Sequence, residues 1–231
     1  MKHRVYLLDT TKEILSSSDM IFENDKIIFI HIPKCGGSSV TTAYRLYRLP
    51  KDKKMAMKTW TSGLKSVSKW KTNKAEWVEV NNMHATYDRY KPFYPDYQYI
   101  TQIRYPMARW ESVYKHLCKL ELVNTEFSEW TERASQYLPK GQFWRLFDNI
   151  DIYLDRTHAH NSEIEILFLP QWTWIREEVK VFKLEEGTIW KWLNLPERVD
   201  NVSPTQECIW SEKAENFVKE WWRKDFEYYE K

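Results

Sequence analysis

Residues 33–39 read Pro33-Lys34-Cys35-Gly36-Gly37-Ser38-Ser39, and they place two adjacent glycines in a chain that has only 5. Glycine lets the backbone adopt positive φ or approach a ligand closely. A loop of this kind ahead of a helix presents unpaired N–H groups and the positive end of the helix dipole, and both favour an anion. Lys34 adds a positive charge, and Ser38 and Ser39 add hydroxyl donors. An ordinary strand-to-helix turn is the plain alternative. The lysine and two serines beside the glycines favour an anion site, because loops after parallel strands are where α/β folds bind ligands.

Two other chemistries are excluded by spacing. A Walker A loop carries its lysine after the glycines, as Gly-x4-Gly-Lys-Ser/Thr, whereas Lys34 precedes them here. Cys35 suggests a phosphatase nucleophile, but the Cys-x5-Arg pattern needs arginine at 41, which is Thr41. A second constellation is Arg104 with Ser112. Arginine is a permanent, forked cation suited to phosphate, and serine adds a hydrogen bond. Taken alone, the pair reads more readily as a surface arginine and a helix serine.

These residues need elements to hold them. Residues 26–32, rich in isoleucine, read as a buried strand ending at the glycine loop. Val40, Ala43, Tyr44 and Tyr47 recur at helical spacing, so a helix runs from Ser38 to about Leu49. Tyr97–Ile103 reads as a second strand, with Arg104 at its end. Pro106 opens a helix whose apolar face is Met107, Trp110, Val113, Tyr114 and Leu117. Residues 125–150 read as helical with a break at 139–141, and 187–193 as a short helix. Residues 211–229 read as one amphipathic helix. Short strands are expected at 78–80 and 179–184, a strand or extended run at 163–169, and 81–96 as loop. Strands alternating with helices imply an α/β domain with a mostly parallel central sheet.

Composition bounds the rest. At ~100–200 residues per domain, 231 residues are read as a single domain, 1–231. Lys plus Arg is 35 and Asp plus Glu 33, a near balance that argues against a dedicated nucleic-acid binder. Cys35, Cys118 and Cys208 form neither a disulfide framework nor a CxxC zinc site. No run approaches the ~18 apolar residues of a membrane span, and residues 1–22 hold no signal-like stretch, so the cytoplasm is the expected location. Residues 51–76 carry eight lysines and read as a mobile basic insertion.

Phe29-Ile30-His31-Ile32-Pro33-Lys34-Cys35-Gly36-Gly37-Ser38-Ser39 resembles the 5′-phosphosulfate loop of the sulfotransferase superfamily. It most resembles the carbohydrate branch that includes the heparan sulfate 2-O-sulfotransferases, which typically reads Phe-Ile-His-Ile-Pro-Lys-Thr-Gly-Gly-Thr-Ser. Cys35 and Ser38 replace that pattern's two threonines. Arg104-Tyr105-Pro106-Met107-Ala108-Arg109-Trp110-Glu111-Ser112 resembles the family's 3′-phosphate motif, Arg-Asp-Pro-x-x-Arg-x-x-Ser, with Tyr105 in place of aspartate. Shorter echoes are Leu169-Pro170-Gln171, Val181 to Glu185, Asn201-Val202-Ser203 and Asp225-Phe226-Glu227.

The resemblance implies a P-loop-containing nucleotide hydrolase-like fold. It implies 3′-phosphoadenosine 5′-phosphosulfate (PAPS) as sulfuryl donor, the bisphosphate PAP as product, and no metal. It places Lys34, Cys35, Gly36, Gly37, Ser38 and Ser39 on the 5′ group and Arg104 and Ser112 on the 3′-phosphate. The expected acceptor is a hydroxyl, foremost of a carbohydrate, and lysines 51–74 could touch an acidic glycan. A solvated loop is the plainer reading of those lysines.

Sulfuryl transfer resembles phosphoryl transfer, with in-line attack and charge developing on the leaving oxygen. Lys34 suits the leaving group. Histidine is the side chain suited to the base near neutral pH. His84, in Met83-His84-Ala85-Thr86-Tyr87, lies where related enzymes have Gly-His-x-x-Tyr/Phe, and in the 2-O-sulfotransferases a histidine of this region is the base. Glu111 and Asp88 are the fallbacks. His31 reads as buried and structural, His158 and His160 as a pair without nearby ligands, and Trp60, Trp70, Trp77, Trp172 and Trp174 as candidates to stack on a sugar. The rival readings are a nucleotide-dependent phosphotransferase and a non-catalytic glycan-binding module.

Overall fold

The computed structural model describes residues 20–48, 84–151, 164–200 and 206–231. The expected elements at 78–80, the basic segment 51–76, His158, His160 and Asn201–Ser203 lie outside them, as do Trp60, Trp70 and Trp77. Among the described residues, four strands form one sheet in the order β1-β2-β3-β4: Ile21–Phe22, Ile27–Ile30, Gln98–Ile103 and Val179–Lys183. β1 and β2 pair antiparallel. β3 runs parallel to both β2 and β4, in registers Phe29↔Ile100 and Thr101↔Val181. Every residue of β2 is buried, as a parallel strand covered on both faces requires. The fold is α/β, with a mixed sheet.

Seven α-helices are described: α1 (Gly37–Arg48), the single turn α2 (Tyr87–Tyr90), α3 (Pro106–Lys119), α4 (Phe127–Tyr137), α5 (Thr188–Leu193), α6 (Glu212–Trp221) and α7 (Arg223–Tyr229). Pro106 stands at the start of α3, where its missing N–H costs nothing. The expected break after α4 is present, with Gly141 at φ 67. One apolar cluster covers the sheet, with Phe22 stacked on Tyr44 of α1 at 3.7 Å. A second joins α3, α4 and α6 around Trp110, Trp130 and Trp222. Trp110 lies 5.3 Å from Trp130 and 5.1 Å from Trp222, so much of the aromatic content builds core.

Three expectations differ from the structure. Residues 164–169 do not form a strand: Glu165–Phe168 is a 3₁₀ turn. Its carbonyls are taken by side chains, so the segment needs no ladder: Leu167 and Leu169 accept from Arg109, and Phe168 from Trp222. The C-terminal helix is two helices, broken at Trp222, whose fully buried indole anchors the bend. Residues 87–90, within the expected loop, form α2. Among the described residues no helix is long and apolar enough to cross a membrane.

Candidate active site

β2 ends at Ile30, and the chain reaches α1 through the glycine loop. Lys34 sits at φ 66 and Gly36 at φ 77. The N–H groups of Gly36, Gly37 and Ser38 find no carbonyl among the described residues, whereas Ser39 and Val40 donate back to the Gly36 carbonyl. Those free donors at the helix start face an anion favourably. Gly37 is needed for close approach: a Cβ there would lie 2.0 Å from Cδ2 of His31. The His31 ring is buried beneath the loop, and its Nδ1 has no hydrogen-bond partner among the described residues. Gly37→Ala is therefore expected to overpack the loop at a cost of about 1–3 kcal/mol. A melting temperature several degrees lower, with weakened anion binding, is the measurement; an unchanged melt would mean the ring yields freely.

The loop residues differ in what they offer. The Lys34 side chain is partly exposed and makes no ion pair among the described residues. Burial, then the charges of Arg104 and Lys119, lower its pKa to about 8. Crowded cations without a counter-ion are the electrostatic signature of an anion site. Cys35 turns inward, with its thiol donating to Oε1 of Gln171 at 3.0 Å and its amide to Ile32. Burial pushes that thiol up to about 12, so it is no thiolate nucleophile. The Ser39 hydroxyl accepts from the Asp200 amide at 2.9 Å, and Ser38 is half-buried.

Arg104 leaves β3 and directly precedes Tyr105, the residue that caps α3. Its guanidinium has no partner among the described residues, while its peptide is held by the Gln171 side chain. Ser112 is buried on α3 and its hydroxyl makes no bond among the described residues. Tyr105, where the resembling motif has aspartate, donates its amide to Glu185 at 2.9 Å, so Glu185 secures this turn from after β4. Arg109 is not a surface ligand: it is fully buried and donates to the carbonyls of Pro33, Leu167 and Leu169. Its guanidinium lies 3.9 Å from Asp225 and over the Trp222 ring.

His84 comes to this loop from α2's side. Its Nδ1 is 2.9 Å from the His31 carbonyl. A carbonyl only accepts, so Nδ1 carries the proton and the neutral ring keeps its lone pair on Nε2. The two histidine rings lie 4.7 Å apart. Trp174 donates to the His84 carbonyl at 2.9 Å, which fixes the residue from a second side. Burial drives the His84 pKa down to about 4, against the raising effect of the His31 hydrogen bond. The ring is thus neutral at physiological pH, as a general base must be.

The remaining candidates are engaged elsewhere. Glu111 accepts from Trp210, and Asp88 pairs with Arg176. Trp174 is fully buried core and cannot stack on a sugar, which corrects that expectation; Trp172 is half-buried with the Lys224 ammonium 4.2 Å from its ring. Among the described residues no group of three metal-binding side chains is present. Sequence reasoning overlooked the roles of Gln171, Arg109 and Asp225, which converge beneath both loops. The signal was present in the Pro-Gln and Asp-Phe echoes and in the second arginine of the Arg104–Ser112 run.

A model of the sulfotransferase family matches residues 19–175, a span that holds both the glycine loop and the Arg104 turn. No curated protein and no solved structure matches the chain.

Proposed function

Because this chain belongs to the sulfotransferase family, we propose that it transfers the sulfuryl group of PAPS to an acceptor hydroxyl, foremost of a carbohydrate, on a P-loop-like fold. The observation that carries this reading is a pair of cations without a counter-ion among the described residues, Lys34 and Arg104, beyond the carboxyl ends of neighbouring parallel strands. The donor set fits PAPS: free loop amides beside glycines, an ammonium at one end, a guanidinium with a buried hydroxyl at the other. PAPS supplies an activated sulfuryl group with a phosphate leaving group.

The chain's own groups do the rest. The loop amides of Gly36, Gly37 and Ser38 hold the 5′ anion, and Arg104 with Ser112 holds the 3′-phosphate. Lys34 neutralises charge that builds on the leaving oxygen. His84 Nε2 takes the proton of the acceptor hydroxyl as attack proceeds, and the His31 carbonyl stabilises the imidazolium through Nδ1–H. The carbohydrate class of the acceptor rests on the resemblance of the loop to the carbohydrate branch.

The test is a calorimetric titration with PAP, AMP and ATP. PAP is expected to bind more tightly than AMP, and Arg104→Ala to erase most of that preference, about ten- to a hundredfold for a charge-assisted contact. Equal affinity for PAP and AMP in the wild type would remove the 3′ site and favour a phosphotransferase or a binding module.

A further inference from the structure

Lys34 holds a left-handed backbone, φ 66, that a residue with a side chain adopts only when its surroundings impose it. Both neighbours are tied down. The Pro33 carbonyl accepts from Arg109 Nε at 3.0 Å. On the other side, the Cys35 thiol donates to Gln171 Oε1 at 3.0 Å, and the Cys35 carbonyl accepts from Gln102 Nε2 at 3.1 Å.

The same Gln171 amide reaches the second loop. Its Oε1 accepts the Arg104 N–H at 2.8 Å, and its Nε2 donates to the Arg104 carbonyl at 2.8 Å. Arg104 lies one residue past β3, where no strand neighbour satisfies its peptide, and the glutamine takes that place. Gln171 is itself 1% exposed and fixed. Its backbone N–H donates to Asp225 Oδ2 at 2.7 Å, and Asp225 faces Arg109, which holds Pro33. The circuit closes around Lys34 and includes Arg104.

We propose that Gln171 is a positioning residue that sets the span between the Lys34 loop and the Arg104 turn, so that a nucleotide with a 5′ and a 3′ anion meets both sites preformed. This deepens, and rests on, the donor reading above. With the span preset, the second anion is gained without a further ordering cost. Without the amide, each loop still binds an anion, but the two must be brought into register on binding. A doubly charged nucleotide then loses more than a singly charged one.

The experiment titrates wild type and Gln171→Ala with adenosine 3′,5′-bisphosphate, adenosine 5′-phosphate and adenosine 3′-phosphate, with folding checked by cooperative melting. In Gln171→Ala the bisphosphate affinity is expected to fall about tenfold or more, and each monophosphate less than ~3-fold. A loss of stability alone would not separate the three ligands. Cys35→Ala cuts only the loop side of the link and is expected to give the same pattern at smaller amplitude. Cys35→Ser retains a donor and is expected to restore it, and this pair carries the test if Gln171→Ala does not fold. Equal losses for all three nucleotides, or an undiminished gain from the second phosphate in the variants, overturn the proposal alone. A wild type that binds the bisphosphate no better than the monophosphates overturns the donor reading and this inference together.

Discussion

His84→Ala is expected to lower kcat by about 10²–10⁴-fold, the usual worth of a positioned general base, while PAP affinity stays within about twofold because the side chain contacts no anion donor loop residue by hydrogen bond. The pH profile carries a second signature. In the proposed role the base works as the neutral ring, and burial disfavours the imidazolium, lowering its pKa to about 4. Wild-type kcat/KM is therefore full above that value and falls as the pH drops through about 4, where an unperturbed histidine would place the limb near ~6.5. Single-turnover rates for wild type and His84→Ala across pH 3.5–9 (~0.5-unit steps) test both statements. Wild-type-like turnover in the variant would transfer the base role to another group. Glu111 and Asp88 are poor heirs, since Trp210 and Arg176 already engage them.

Lys34→Ala is expected to cost about 10²–10³-fold in kcat, the loss seen when one group that stabilises developing charge is removed. PAP binding should weaken far less, by at most ~10-fold, because the loop amides and Arg104 remain. Here the sign of the pH effect is opposite. The proposed role at the leaving oxygen needs the ammonium charged, and burial together with Arg104 and Lys119 brings its pKa to about 8. kcat/KM then declines as the pH rises through about 8, giving with His84 a bell between about 4 and 8. Saturating donor raises the Lys34 pKa, because a neighbouring anion favours the cation, so the alkaline limb of kcat moves up. Lys34→Arg separates charge from titration. It retains partial turnover and loses the alkaline limb, since guanidinium stays protonated. An alkaline limb that survives in Lys34→Arg would assign that titration to another residue.

The strands and the two loops they carry were legible because each rests on local information. β2, β3 and β4 are short runs of β-branched and aromatic residues, and they fall within a residue or two of the expected bounds. α1 and α3 follow from apolar spacing and from Pro106. The segment at 164–169 departs from the expected strand or extended run for a physical reason. Its apolar residues suit a strand as well as a buried turn, and what decides is the source of its hydrogen bonds. Those come from Arg109 and Trp222, 58 and 54 positions away in the chain. The bend at Trp222 is likewise imposed by the core that the indole enters, and it turns Asp225 inward toward Gln171 and Arg109.

The amino-acid sequence carries the chemistry on offer: a glycine loop with a lysine, an arginine at the end of the next strand, and a histidine as candidate base, in a chain that belongs to the sulfotransferase family. Residue type and short spacing suffice for that, because helix dipoles, glycine torsions and side-chain charge are local properties. Tertiary structure alone decided which nitrogen of His84 is free, through a carbonyl 53 residues away. It also decided that Cys35 faces inward and that Gln171 spans both loops. These outcomes depend on burial and on partners brought together by the parallel pairing of β2 and β3 and by the return of α7. In the low-dielectric interior, those distant partners set proton positions and pKa values that residue identity leaves open.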